Sequence, residues 1–281
     1  MTEHNIRITV AYDGTNYVGW QRQPENKGIS IQQRLEEAAS EMLGHAVTIN
    51  GSGRTDAGVH AFGQVANFIC DKPVPVDKMC SILNNILPED IRVMNASIES
   101  PDFHARFTPH MKCYRYIIEQ EKRVSPFAPH YSWQVGEMLD ICAMHNAALA
   151  LVGEHDFRNF TLSGVSATNF VRRISNVEIY EPFQMEAVFP WQQLNSPLVI
   201  DVVGNGFLYK MVRLIVARLV AIGQGKLPSR AMLGYLNGEV TENIPPAPAQ
   251  GLFLASVGYE HDEDLSLGGG DEDITMVNVI F

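Results

Sequence analysis

The sequence predicts a protein of alternating strands and helices, of the small α/β-sandwich kind, built as two halves of similar plan. Three observations lead there. Strand-like and helix-like stretches alternate from about residue 5 to residue 100, the same alternation resumes near residue 112, and 281 residues suffice for two such units. No sequence repeat relates the halves; they share only the order of their elements. The boundary falls near 100–107, giving a unit 1–104, a unit 105–260 and an acidic tail 261–281.

The elements follow in order. Ile6 to Tyr12 is rich in β-branched residues and reads as a strand, ended by the turn "DGTNY". "SIQQRLEEAASEML" reads as a helix: Ser30 and Gln33 have capping-box spacing, and Ile31, Leu35, Ala38, Ala39 and Met42 recur at helical intervals. "AVTINGSG" and "GQVANFIC" read as strands, "MCSILNNIL" as a short helix stopping near Pro88, and "DIRVMNASIES" as a strand. In the second half "KCYRYIIEQ" alternates as a strand and "MLDICAMHNAALALV" has helical spacing. "RRISNVEIYE" and "LVIDVVG" read as strands, "FLYKMVRLIVARLVAIG" as a long buried helix, "SRAMLGYL" as a helix and "LFLASVGYE" as a last strand.

Composition narrows the function classes. No apolar run approaches the roughly 18 residues of a membrane span; the stretch from Leu214 to Gly223 is short and interrupted by Arg218. The N-terminus lacks a signal core, and the four cysteines form no CxxC pair or cluster, so neither disulfides nor a structural zinc is expected and a reducing, cytoplasmic setting fits. The net charge of −11 argues at first against a nucleic-acid partner. Yet nine acids and no base follow Arg230, so residues 1–230 hold all 21 bases against 23 acids, a charge of −2. A basic groove is compatible with a body of that charge.

The densest chemistry lies in "GSGRTDAGVHAFGQ", residues 51–64, where four glycines surround Arg54, Asp56 and His60. Asp56 has two readings. It is a turn aspartate or an ion partner of Arg54, or it is an activated carboxylate that a nearby cation keeps ionised as nucleophile or base. His60 has no second ligand at metal spacing and reads as structural. "FHARFTPHMKCYRYII" interleaves aromatics with His104, Arg106, His110, Lys112 and Arg115, a pattern that stacks on bases and meets phosphate, or else a strand with one aromatic and one basic face. Arg213, on an apolar helix, either reaches solvent or pairs with a carboxylate, for which Asp56 is the candidate. "GNGF" lacks the third glycine of a dinucleotide fingerprint and is discounted.

"YDGTNYVGWQRQ", "GSGRTDAGVHA", "LNNILPEDI", "FHARFTPHMKCYRYII", "GEHDFRNF", "GFLYKMVRLIV" and "GLFLASVGY" occur in the order found in the tRNA pseudouridine synthase A family, which the chain resembles from about residue 5 to about 260. The resemblance implies an α+β fold, two RRM-like halves forming one extended, mainly antiparallel sheet, with helices on one side and an active cleft between the halves. It implies isomerisation of uridine to pseudouridine at positions 38, 39 and 40 of the tRNA anticodon stem-loop by a homodimer, without cofactor or metal. By motif, Asp56 is the catalytic carboxylate, Arg54 helps flip the target uridine, Tyr114 stacks on the flipped base, Arg213 pairs with Asp56 and Leu252 lines the pocket. Lys210 departs from a histidine common before "MVR", "LSGVSATNFVRRI" departs in wording, and the acidic tail has no counterpart. Rival readings are the same reaction on another RNA, a non-catalytic RNA-binding protein, and an N-glycoside hydrolase, which needs a second acid that the sequence does not place near Asp56.

Overall fold

Alternation sends Ile6, Ile8, Val10 and Tyr12 to one buried face of strand β1 (His4–Tyr12). This is a computed structural model, and it describes residues 3–72, 75–123, 125–162, 168–182, 194–260 and 262. Helix α1 (Ile31–Leu43) follows, then β2 (Asn50–Gly51), β3 (His60–Cys70), α2 (Val76–Ile86) and β4 (Ile91–Glu99). Ser30 caps α1 by accepting from the Gln33 N–H at 3.2 Å, whereas the Gln33 side chain donates to Glu37; only one arm of the capping box forms.

The second series runs β5 (Pro109–Glu119), β6 (Trp133–Gln134), α3 (Ile141–Ala148), β7 (Gly153–Asp156), β8 (Val171–Tyr180), β9 (Pro197–Gly204), α4 (Met211–Gly223), α5 (Ala231–Asn237) and β10 (Leu252–Tyr259). The strands form one ten-stranded sheet in the order β4-β1-β3-β10-β5-β9-β8-β7, with β2 added to β3 and β6 to β5. Pairing is antiparallel except between β10 and β3 and between β5 and β6. The final strand thus lies mid-sheet, joined to β3 through Phe253 opposite His60 and Leu254 opposite Ala61. Buried residues of all five helices share one core with one face of the sheet, while Ile117, Val199 and Phe253 form a small cluster apart from it.

Three expectations need correction. "AVTINGSG" forms only the two-residue β2, because Val47 N–H is taken by Ser40 Oγ at 3.0 Å and Ile49 N–H by Glu36 Oε1 at 3.3 Å, side chains of α1 instead of a strand partner. The long helix starts at Met211 and not at Phe207, since Lys210 takes a left-handed conformation (φ 59°) at its N-cap. "MLDICAMHNAALALV" is helical only from Ile141, after Asp140 accepts from Ala143 N–H at 2.9 Å, and tightens to a 3₁₀ turn at Leu149–Leu151. β6 and β7 were not foreseen. Beyond residue 260 only Asp262 is described, and it pairs with Arg7, the Nη2–Oδ2 contact being 3.0 Å. The reading of 261–281 as a solvated tail otherwise lies outside the described residues.

Candidate active site

The glycine-rich stretch is pinned at several points. Ser52 N–H donates to Val65 O (2.8 Å), Gln64 Nε2 donates to Gly53 O (3.1 Å) and Lys112 Nζ donates to Ser52 O (2.6 Å). Thr55 O accepts from Trp20 N–H at 3.1 Å, and its hydroxyl meets Tyr12 Oη at 2.8 Å. A Cβ on Gly51 would stand 2.3 Å from the Trp20 indole, and Gly58 turns the chain at φ +76°. These two glycines therefore serve the protein's own close packing and turn.

Asp56 projects from this loop, between β2 and β3. Arg213, in the first turn of α4, donates Nη1–H to Asp56 Oδ2 at 2.8 Å and Nε–H to Ala247 O at 2.7 Å. The side chains are 13% and 21% exposed for Arg213 and Asp56, so the pair is shielded but reachable. Among the described residues Asp56 Oδ1 has no hydrogen bond, which leaves one carboxylate oxygen for a ligand.

A cleft of 1380 Å³ opens over this pair, and all five residues singled out in the sequence line it: Arg54, Asp56, Tyr114, Arg213 and Leu252. Arg54 is exposed and its side chain makes no ion pair or hydrogen bond with the described residues. Tyr114, on β5, is buried and stands edge-on to Phe207, centroids 5.2 Å apart. Burial, reinforced by Tyr12 and Asp56, pushes its phenol well above the ordinary range, so it stays neutral. Leu252 opens β10 and is buried.

Seven basic side chains line the cleft, Lys27, Arg54, Arg106, Lys112, Arg172, Lys210 and Arg213, and Asp56 is the one acid among its lining residues. On a chain of net charge −11 this concentrates positive charge where a polyanion would lie. Burial, with Arg106 nearby, brings the Lys112 ammonium down to about 8.

Only part of the "YRY" segment belongs here. Tyr116 is fully buried and donates to Pro248 O (2.8 Å), and Arg115 turns to the other face, where it grips Asp201 through Nε (2.8 Å) and Nη2 (2.7 Å). His60 is buried as expected of a structural residue: Nδ1 accepts from Gly14 N–H at 3.1 Å and lies 3.1 Å from Asp13, and the ring stacks on Phe253. Sequence reasoning did not single out Phe207 or Arg172. Phe207 stood inside "GNGF", discounted as a nucleotide motif, and Arg172 inside "RRISNVEIYE", read only as a strand, and "LSGVSATNFVRRI", noted only as a departure in wording. Among the described residues no group of three or more His, Cys, Asp or Glu side chains is gathered as a metal would require, and no helix is long and apolar enough to cross a membrane.

One carboxylate steered by an arginine, beside an aromatic wall and within a cation-lined cleft, is equipped to act covalently or as a base on a polyanionic ligand. The sequence pattern of the tRNA pseudouridine synthase family matches residues 8–108 and 147–260. The tRNA pseudouridine synthase A of Syntrophotalea carbinolica is 42% identical over 255 residues, covering 90% of this chain and 96% of that protein. That of Moorella thermoacetica is 40% identical over 256 residues, covering 90% and 99%. Among solved structures, an archaeal box H/ACA Nop10–Cbf5 complex aligns with 76% of this chain and 44% of that one at a TM-score of 0.31 and 11% identity, a likeness too slight to carry weight. The chain belongs to the tRNA pseudouridine synthase family, whose members are isomerases.

Proposed function

We propose that this protein isomerises uridine to pseudouridine in tRNA, at positions 38, 39 and 40 of the anticodon stem-loop, with Asp56 as the essential carboxylate. The observation that carries the proposal is the Asp56–Arg213 pair in a cation-lined cleft beside Tyr114, in a chain of this family. The target base must leave the helical stack to be reached. Arg54 enters the place it vacates, Tyr114 stacks on the flipped uracil, and Leu252 closes the pocket that retains it.

Asp56 either attacks C1′, displacing uracil and forming a glycosyl ester, or takes the C2′ proton, expelling uracil to leave a glycal. In both routes the N1–C1′ bond breaks and uracil rotates to present C5. The C5–C1′ bond then forms, as the ester C1′–O bond to Asp56 breaks in the first route or as Asp56 returns the proton to C2′ in the second; C5 loses its proton and N1 gains one. Arg213 holds Oδ2 and orients the free Oδ1.

We read the sheet as two RRM-like halves, 1–104 and 105–260. The order β4-β1-β3 with β2 on one side, and β10-β5-β9-β8 on the other, supports this. A cytoplasmic homodimer, working without cofactor or metal, completes the reading and rests on the family resemblance. The test is to incubate tRNA transcript with wild-type and Asp56→Asn protein and map pseudouridine by position. Product at 38–40 with wild type alone is expected. Turnover by Asp56→Asn would remove the catalytic assignment, and product elsewhere would move the target.

A further inference from the structure

One exposed aromatic side chain, Tyr209, lines the cleft, and a second, Phe107, stands beside a cation that lines it. Phe107 is 75% exposed, and its ring lies 5.7 Å from the Arg106 guanidinium, which lines the cleft. Tyr209 is 49% exposed and lines the cleft, and its ring lies 5.1 Å from Lys210 Nζ. A lone exposed aromatic is ordinary on a protein surface. Here each stands beside a cation that lines one cleft, and neither cation has a carboxylate partner among the described residues.

The backbone at the second pair is also unusual. Lys210 is the one non-glycine residue with positive φ among the described residues, a conformation unfavourable for a lysine. It is held between the Leu208 O to Met211 N–H bond (3.0 Å) and the start of α4, where Leu214 N–H donates to Lys210 O (3.0 Å). The preceding carbonyl, Tyr209 O, accepts from Thr161 Oγ1 at 3.0 Å. A fixed joint thus carries the exposed ring and cation, three residues before the arginine that holds Asp56.

We infer that Tyr209–Lys210 and Arg106–Phe107 are two nucleotide subsites outside the uracil pocket, each ring taking the face of an unstacked base and each cation the adjoining phosphate. Extruding one uridine leaves its neighbours without a stacking partner, and aromatic faces with adjacent cations are what RNA-binding surfaces offer such bases. The inference rests on the tRNA reading above and adds the residues that hold the nucleotides flanking the target.

The experiment uses a fluorescein-labelled anticodon stem-loop RNA with uridine at 38–40. Its affinity is measured by anisotropy over a range of salt concentrations, in the Asp56→Asn background so that nothing turns over. Tyr209→Ala and Phe107→Ala should each raise Kd on the order of 5- to 100-fold, as expected for a lost stacking platform, while Tyr209→Phe, which keeps the ring, should stay within about twofold. Lys210→Gln and Arg106→Gln should each reduce the slope of log K against log salt by about 0.7–0.9, one phosphate contact. Thermal melts establish that each variant is folded.

Kd values within about twofold of the parent for both alanine variants would overturn the inference, whatever the enzyme makes. Loss of affinity in those variants, together with no pseudouridine from protein carrying the native Asp56, would overturn the isomerase reading and leave the subsites standing. An Asp56→Asn parent that does not bind the RNA would overturn both.

Discussion

Helix α4 carries two arginines five residues apart, and the protein accommodates them in different ways. Arg213 meets a carboxylate: Nη1 donates to Asp56 and Nε to Ala247 O. Arg218 is 6% exposed and lies between two rings, its Cζ 4.2 Å from the Phe160 centroid and 3.8 Å from that of Tyr235. Its Nη2 donates to Asn159 O at 2.8 Å, while Nε and Nη1 are buried without a hydrogen bond among the described residues. Burial lowers its pKa to about 10, with Tyr235 opposing. Cation–π contact and one carbonyl stand in for an ion pair. The same residue type on one helix thus orients a carboxylate at one position and fills the core at the other.

That contrast can be broken at either end. The largest effect is expected at the cleft. Arg213→Met leaves Asp56 without its orienting partner, and kcat for pseudouridine formation should fall on the order of 10²-fold or more. Arg213→Lys should recover little of it, because an ammonium cannot reproduce the forked contact to Asp56 and Ala247. Near-native turnover by either variant would remove Arg213 from the site.

Next in size, Arg218→Ala should lower unfolding free energy by about 2–4 kcal/mol in urea melts, through lost packing between the rings. Arg218→Met, of similar length and uncharged, should be neutral or stabilising by about 1–4 kcal/mol. A strongly destabilised Met variant would mean that the charge itself holds Phe160 and Tyr235 in place.

The smallest effect is one of pH. Lys112 carries its charge below pH 8 and loses it as the pH rises through about 8. tRNA affinity should therefore weaken from pH 7 to pH 9. Lys112→Arg, charged throughout that range, should flatten the profile. An unchanged profile would mean that Lys112 does not face phosphate.

Much of this was legible in the sequence, for reasons that differ from residue to residue. β1 and β5 declare themselves because alternation is a local property, visible in Ile6-Ile8-Val10 and in Tyr114-Arg115-Tyr116. The partnership of Asp56 with Arg213 spans 157 residues. It was open to suggestion because a buried arginine needs a partner and because the family resemblance implied the pairing. What stayed hidden depends on tertiary contacts: α1 side chains capping the backbone at Val47 and Ile49, the left-handed Lys210, and the division of the "YRY" segment between cleft, core and opposite face. Composition misled as well, since an overall charge of −11 conceals a cleft lined by seven cations.

The position of β10 has a consequence in time. Within the sheet, β3 reaches β5 only through the strand formed by residues 252–259. A ribosome must therefore synthesise the chain through residue 259 before the ladder between the halves can form. Until then each half exposes an open edge, and Leu252 is missing from the cleft. Non-local pairing of this kind is slow and leaves edges open to wrong partners. On the ribosome the cleft is completed last, so a nascent chain offers the basic surface to RNA before it has a finished pocket to hold a base.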